Sequence, residues 1–149
     1  MNCCVIRSKN PQIILKAFLK NIYYKNIITV SYKFALIQIM FQNVMIKELP
    51  TSVFPSAIAE IRMDDISMRT IRKDAFCAMT IFNVIISNTS IQEIQSGAFS
   101  DRALIQSLEF VDVQLQNINT AAFRAGHDNL TIQHSRLSTL NLHYRSLLQ

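Results

Sequence analysis

Three histidines, three cysteines and two Asn-x-Ser/Thr triplets are the residues of this chain whose types could carry chemistry. His127, His134 and His143 all follow Phe123. A metal site would need their rings to converge on one face, but His134 falls at a turn of the repeat described below and His143 lies beyond its last strand, so all three are expected at the surface. Cys3, Cys4 and Cys77 are an odd set with neither a zinc spacing nor a Cys-x-x-Cys pair. No disulfide framework is expected from them, and Cys77, directly after Phe76, is expected to be a small buried filler. Asn88-Thr89-Ser90 and Asn129-Leu130-Thr131 satisfy the N-glycosylation triplet. There is no Gly-rich phosphate loop, no Gly-x-Ser-x-Gly elbow and no nucleophile with an evident histidine partner. The chain is therefore expected to be non-enzymatic, without catalytic residues, metal or cofactor.

Whatever work these residues do must be done on a scaffold, and the composition limits which one. The chain has 149 residues, half of them hydrophobic, enough for one folded unit with a real core. Two glycines and three prolines leave few tight hairpin turns of the usual kind. Charge is uneven: Arg7, Lys9, Lys16, Lys20, Lys25, Lys33 and Lys47 all precede the first acidic residue, Glu48, so the formal +5 is +7 followed by −2. Such a basic first third is expected to be a solvated edge or leader, with anionic lipid or nucleic acid as the alternative partner. The apolar runs near the start are broken by Lys16 and Lys33, so no transmembrane span is expected. The first twenty residues also lack the order of a secretory signal.

The decisive pattern is a phrase written three times. "RTIRKDAF", "SIQEIQSGAF" and "QNINTAAF" end at Phe76, Phe99 and Phe123, each with an Ile five residues before the Phe and an Ala directly before it. Extending each phrase backwards gives an apolar frame, clearest in "IQSLEFVDVQLQNINTAAF" from Ile105 to Phe123. Copies start at 14, 36, 58, 81, 105 and 127, the first and last of them degenerate. A period of this size signals a solenoid. The alternation in "LEF" or "IRM" has the period of a short strand with one face buried. Stacked in parallel, the copies form apolar ladders, Ile39, Ile61, Val84, Leu108 and Leu130 in one and Phe41, Met63, Ile86, Phe110 and Ile132 in the next, each extended upstream by Ala17 and Leu19.

Over residues 14–142 this frame resembles the leucine-rich repeat family, and "LP" at Leu49-Pro50 with the "AF" endings looks like its extracellular, insect-type members. The resemblance implies an α/β solenoid with short parallel strands on a concave face and irregular or short helical convex segments. Residues 1–13 form a leader without repeat frame, 14–35 and 127–142 are degenerate repeats, and 143–149 are a tail. The family's Asn position holds Ile22, Val44, Ile66, Thr89, Val113 and Ser135 here. The column before it, Asn21, Asn43, Asp65, Asn88, Asp112 and His134, is expected to take over by capping the turn with side-chain to backbone bonds.

Strand side chains that point away from the core would line the concave face: Met40 and Gln42, Glu60, Arg62 and Asp64, Asn83, Ile85 and Ser87, Glu109 and Val111. Their mixture of apolar and charged types suits protein recognition, which is also the use the resemblance implies, with a central row through Met40, Arg62, Ile85 and Glu109. A protein or peptide is the expected partner; nucleic acid is not. Uncapped solenoid ends would favour self-association. The resemblance implies an extracellular or cell-surface setting, with Asn88 the preferred glycan acceptor because a glycan on Asn129 would obstruct the concave edge.

Overall fold

The computed structural model describes residues 22–24, 27–33, 36–54, 56–124 and 126–140. Strands β1 (Ile22–Tyr24) and β2 (Ile27–Lys33) lead into two long ones, β3 (Leu36–Leu49) and β4 (Ala57–Ile71). Three strand pairs follow: β5 (Thr80–Ser87) with β6 (Ser90–Ile94), β7 (Leu104–Val111) with β8 (Gln114–Ile118), and β9 (Gly126–Gln133) with β10 (Arg136–Leu140). From β3 onward each strand pairs in parallel with its counterpart one coil away. The chain is a parallel β-solenoid.

Two corners of each coil are made by left-handed backbone, and Ala78, at φ 52°, adds a further one in a single coil. Asn43, Asp65, Asn88, Asp112 and His134 occupy the first corner at φ between 48° and 54°. Ser52, Asp74, Gly97 and Ala121 occupy the second, at φ between 51° and 69°. Long strands β3 and β4 bend at the first corner, so their early halves join β5, β7 and β9 in one sheet while their late halves join β6, β8 and β10 in another. A third side carries the aromatic residue of each phrase, with Phe76 bridged to Phe99 and Phe99 to Phe123.

The expected α/β architecture with helical convex segments is not what forms: no helix occurs among the described residues. The reason is local. Left-handed residues at Asn88 and Gly97, and again at Asp112 and Ala121, bracket each return segment. A helix confined between such corners would have two turns at most, too few to be stable on its own. An extended path instead pairs its backbone with the coil before it, as Ile91 does with Met68 and Ile94 with Ile71. β-Branched isoleucines at those inward positions suit the strand.

The core is the stack of inward columns. Ile39, Ile61, Val84 and Leu108 lie in register, as do Phe41, Met63, Ile86 and Phe110, and every one is at most 1% exposed. On the second sheet Ile71, Ile94 and Ile118 form another column. Phe76 and Phe99 stack at 4.6 Å and 9°, Phe99 and Phe123 at 5.0 Å and 16°, and Phe110 meets Phe123 edge-on at 5.8 Å. At the N-terminal edge the parallel order ends. In place of a parallel rung from the 14–35 repeat, β2 pairs antiparallel with β3, from Ile27 against Gln42 to Lys33 against Leu36. Residues 1–21, with Cys3, Cys4, Ala17 and Leu19, lie outside the described residues, as do His143 and the tail after Leu140.

Two local expectations are corrected. Cys77 is buried, but it is disulfide-bonded rather than a simple filler. The polar corner column does not cap: Asn, Asp and His stand there because they tolerate left-handed backbone far better than other residues with a Cβ. Capping falls to hydroxyls one residue later, at the family's Asn position. Thr89 Oγ1 accepts from Ile66 N at 3.3 Å and donates to Ser87 O at 2.6 Å. Ser135 Oγ repeats the arrangement, with Val113 N at 3.2 Å and Gln133 O at 2.9 Å. Thr89→Val keeps the shape but strands the Ile66 N–H, so it should cost about 1–3 kcal/mol, measured by urea denaturation; Thr89→Ser should recover most of that.

Candidate binding face

In the sheet formed by β3, β4, β5, β7 and β9, every residue that points away from the core falls into a column set by the parallel register. Gln38, Glu60, Asn83, Ser107 and Asn129 form the first column. Met40, Arg62, Ile85, Glu109 and Thr131 form the second, and Gln42, Asp64, Ser87, Val111 and Gln133 the third. At about 4.8 Å per rung, each five-member column runs about 19 Å. All ten side chains expected on a binding face, Met40, Gln42, Glu60, Arg62, Asp64, Asn83, Ile85, Ser87, Glu109 and Val111, therefore share one surface. Arg62 is exposed and the other nine are half-buried by their neighbours.

Short polar contacts hold this surface in place. Asp64 accepts from Ser87 Oγ at 2.8 Å and from Asn88 Nδ2 at 3.1 Å, so the next coil fixes its carboxylate through two donors. Arg62 Nε donates to Glu60 Oε1 at 3.3 Å, and Ser107 Oγ to Glu109 Oε1 at 3.1 Å. Glu60, Asp64 and Glu109 on the face, Asp65 and Asp112 at the adjoining corner and Asp128 at the start of β9 give six carboxylates. Arg62 is the one described cation within the columns, while Arg102 and Arg124, with Asp101, lie at the turns that lead into β7 and β9. The outer side of the second sheet is different: Lys47 and Arg69 occupy neighbouring rungs there, and Arg72 pairs with Glu48 at 2.7 Å.

Both sequon asparagines are exposed. Asn88 stands at the corner with its amide on Asp64, whereas Asn129 ends the first column. Thr89, the hydroxyl residue of the first triplet, is 2% exposed, so a glycan on Asn88 would have to be added before the coil closes. His134 is an exposed corner residue whose Nδ1 lies 4.0 Å from Asp112. Of the basic first third, Arg7, Lys9, Lys16, Lys20 and Lys25 lie outside the described residues.

One feature of the face has no counterpart in the expectations from sequence. At the start of β5 and β7, Phe82 is 46% and Leu104 is 62% exposed, and with Thr80, Gln106 and Asp128 they line a shallow groove of about 420 Å³. In the repeat frame Leu104 precedes the first inward residue of its copy and Phe82 follows the first inward residue of its own, positions that carry no periodic signal. Two large apolar residues at such unconstrained positions were the available clue.

These columns on a parallel coil define the class: a solenoid repeat protein with a built, chemically mixed outer face. No family model, no curated protein and no solved structure matches the chain. No helix among the described residues is long and apolar enough to cross a membrane.

Proposed function

We propose that the protein is a non-enzymatic binding module that recognises a protein or peptide on the outer face of the β3–β4–β5–β7–β9 sheet. The observation that carries this reading is the second column, where Met40, Ile85 and Arg62 stand side by side with Glu109 on a rigid sheet. Partly exposed apolar side chains ringed by ordered polar ones are the make-up of a recognition surface. The likeness of the repeat frame to leucine-rich repeats, whose strand face binds proteins, supports the same use, without that family's helical side. A disulfide at Cys77 and the two sequons support an oxidising, extracellular setting. Self-association through the solenoid's end is a second reading, favoured by Ile132 and Leu137, which are 39% and 41% exposed on the last described coil.

The test is selection of phage-displayed random peptides on the immobilised full chain. Peptides should be enriched whose affinity falls about tenfold or more in the Arg62→Ala, Ile85→Ala double variant and is kept in Gln92→Ala, on the outer side of the other sheet. No enrichment, or enrichment indifferent to the double variant, contradicts the proposal.

A further inference from the structure

Resting on that reading, we infer that the groove lined by Phe82, Leu104 and Asp128 is the anchor site of the face, and that it takes a large apolar side chain from a basic, extended segment of a partner protein.

Three observations meet here. The groove continues the recognition face: Phe82 directly precedes Asn83, Gln106 directly precedes Ser107 and Asp128 directly precedes Asn129, so its occupant would pass straight onto the first column. Its floor is apolar and open to water, with Leu104 beside the smaller Thr80 in the neighbouring rung, a step that leaves room for an inserted side chain. A volume of about 420 Å³ falls within the size of sites that take a small ligand or an anchoring side chain. Covering exposed Phe and Leu with apolar surface is favourable in itself.

Charge selects the flanks of that anchor. Asp128 stands at the groove, and Glu60, Asp64 and Glu109 lie along the columns it opens onto, where the one described cation, Arg62, is already engaged by Glu60; Arg102 and Arg124, with Asp101, are confined to the turns that lead into β7 and β9. A segment carrying Lys or Arg on the side of its apolar anchor that crosses the columns meets complementary potential there, whereas an acidic one is repelled. An extended segment suits a surface whose columns run across parallel rungs at a fixed repeat.

The peptides enriched on the full chain supply the probe. They should share one large apolar residue flanked by Lys or Arg. As synthetic fluorescein-labelled peptides they should lose about tenfold or more in affinity when that residue becomes Ser, and should bind more weakly as salt rises. The Phe82→Ser, Leu104→Ser double variant and Asp128→Lys should each weaken binding at least fivefold, with melting temperatures checked to show that both fold. Face-dependent peptides that are acidic, or that ignore the groove variants, would overturn this inference and leave the binding face standing. No enrichment at all would overturn both. A sedimentation coefficient of the free chain that drops in the groove variants would also overturn it, by showing that a second copy fills the groove.

Discussion

Phe99→Ala should be among the most damaging single substitutions this fold can receive, destabilising it by about 3–5 kcal/mol. Phe99 is fully buried and sits in the middle of its column, between Phe76 at 4.6 Å and Phe123 at 5.0 Å, with Phe110 against its edge at 6.4 Å. Removing the ring leaves a void that two coils share, and a solenoid has no distant core to compensate because each coil touches only its neighbours. Phe123→Ala, at 6% exposure near the end of the described stack, should cost less. The comparison is made by urea denaturation of each variant. Equal losses at the two positions would argue against a continuous aromatic column.

Ser52→Gly should work in the opposite direction, stabilising the fold by about 2 kcal/mol. Ser52 holds φ 51° and is 5% exposed, and its Oγ is buried without a hydrogen-bond partner. Left-handed backbone costs a residue with a Cβ about 1–2 kcal/mol, and a stranded hydroxyl costs about 1–3 kcal/mol more. Against these, glycine gives back about 0.5–1 kcal/mol in chain entropy. The equivalent corner two coils on is already a glycine: Gly97, at φ 69°, where an added Cβ would meet only Lys73 Cγ at 3.8 Å. Ser52→Ala removes the hydroxyl alone and should recover only part of the gain. A Ser52→Gly midpoint unchanged or lowered in thermal unfolding would contradict the corner assignment.

Much of this architecture was written in the apolar frame. Ile39, Ile61, Val84 and Leu108 could be aligned because their side chains must all be shielded by the coil above and below, and that requirement fixes both period and register. The outer columns followed automatically, since residues between inward positions have only the other side to face. The return segments were less legible. In "SIQEIQSGAF" the spacing of Ile91 and Ile94 is three, which a helix or a bent strand can satisfy equally, and only the left-handed corners at Asn88 and Gly97 decide. The role of Asn43, Asp65 and Asn88 was misread for a related reason: short polar residues serve both as caps and as left-handed residues, and sequence alone does not separate the two uses. The groove at Phe82 and Leu104 was missed because it arises where neighbouring coils differ, and a repeat frame records only what they share.

Everything proposed for the face depends on parallel rungs stacked in register from β3 to β9. The most direct measurement is the distance between spin labels placed at Gln38 and Asn129, which are far apart in sequence but end the same column. Four rung steps put their backbones about 19 Å apart, so a single narrow distribution near that value, widened only by the label arms, is predicted. A broad distribution, or a dominant distance more than about twice that, would mean that the coils are not stacked in this register, and the binding face would not exist.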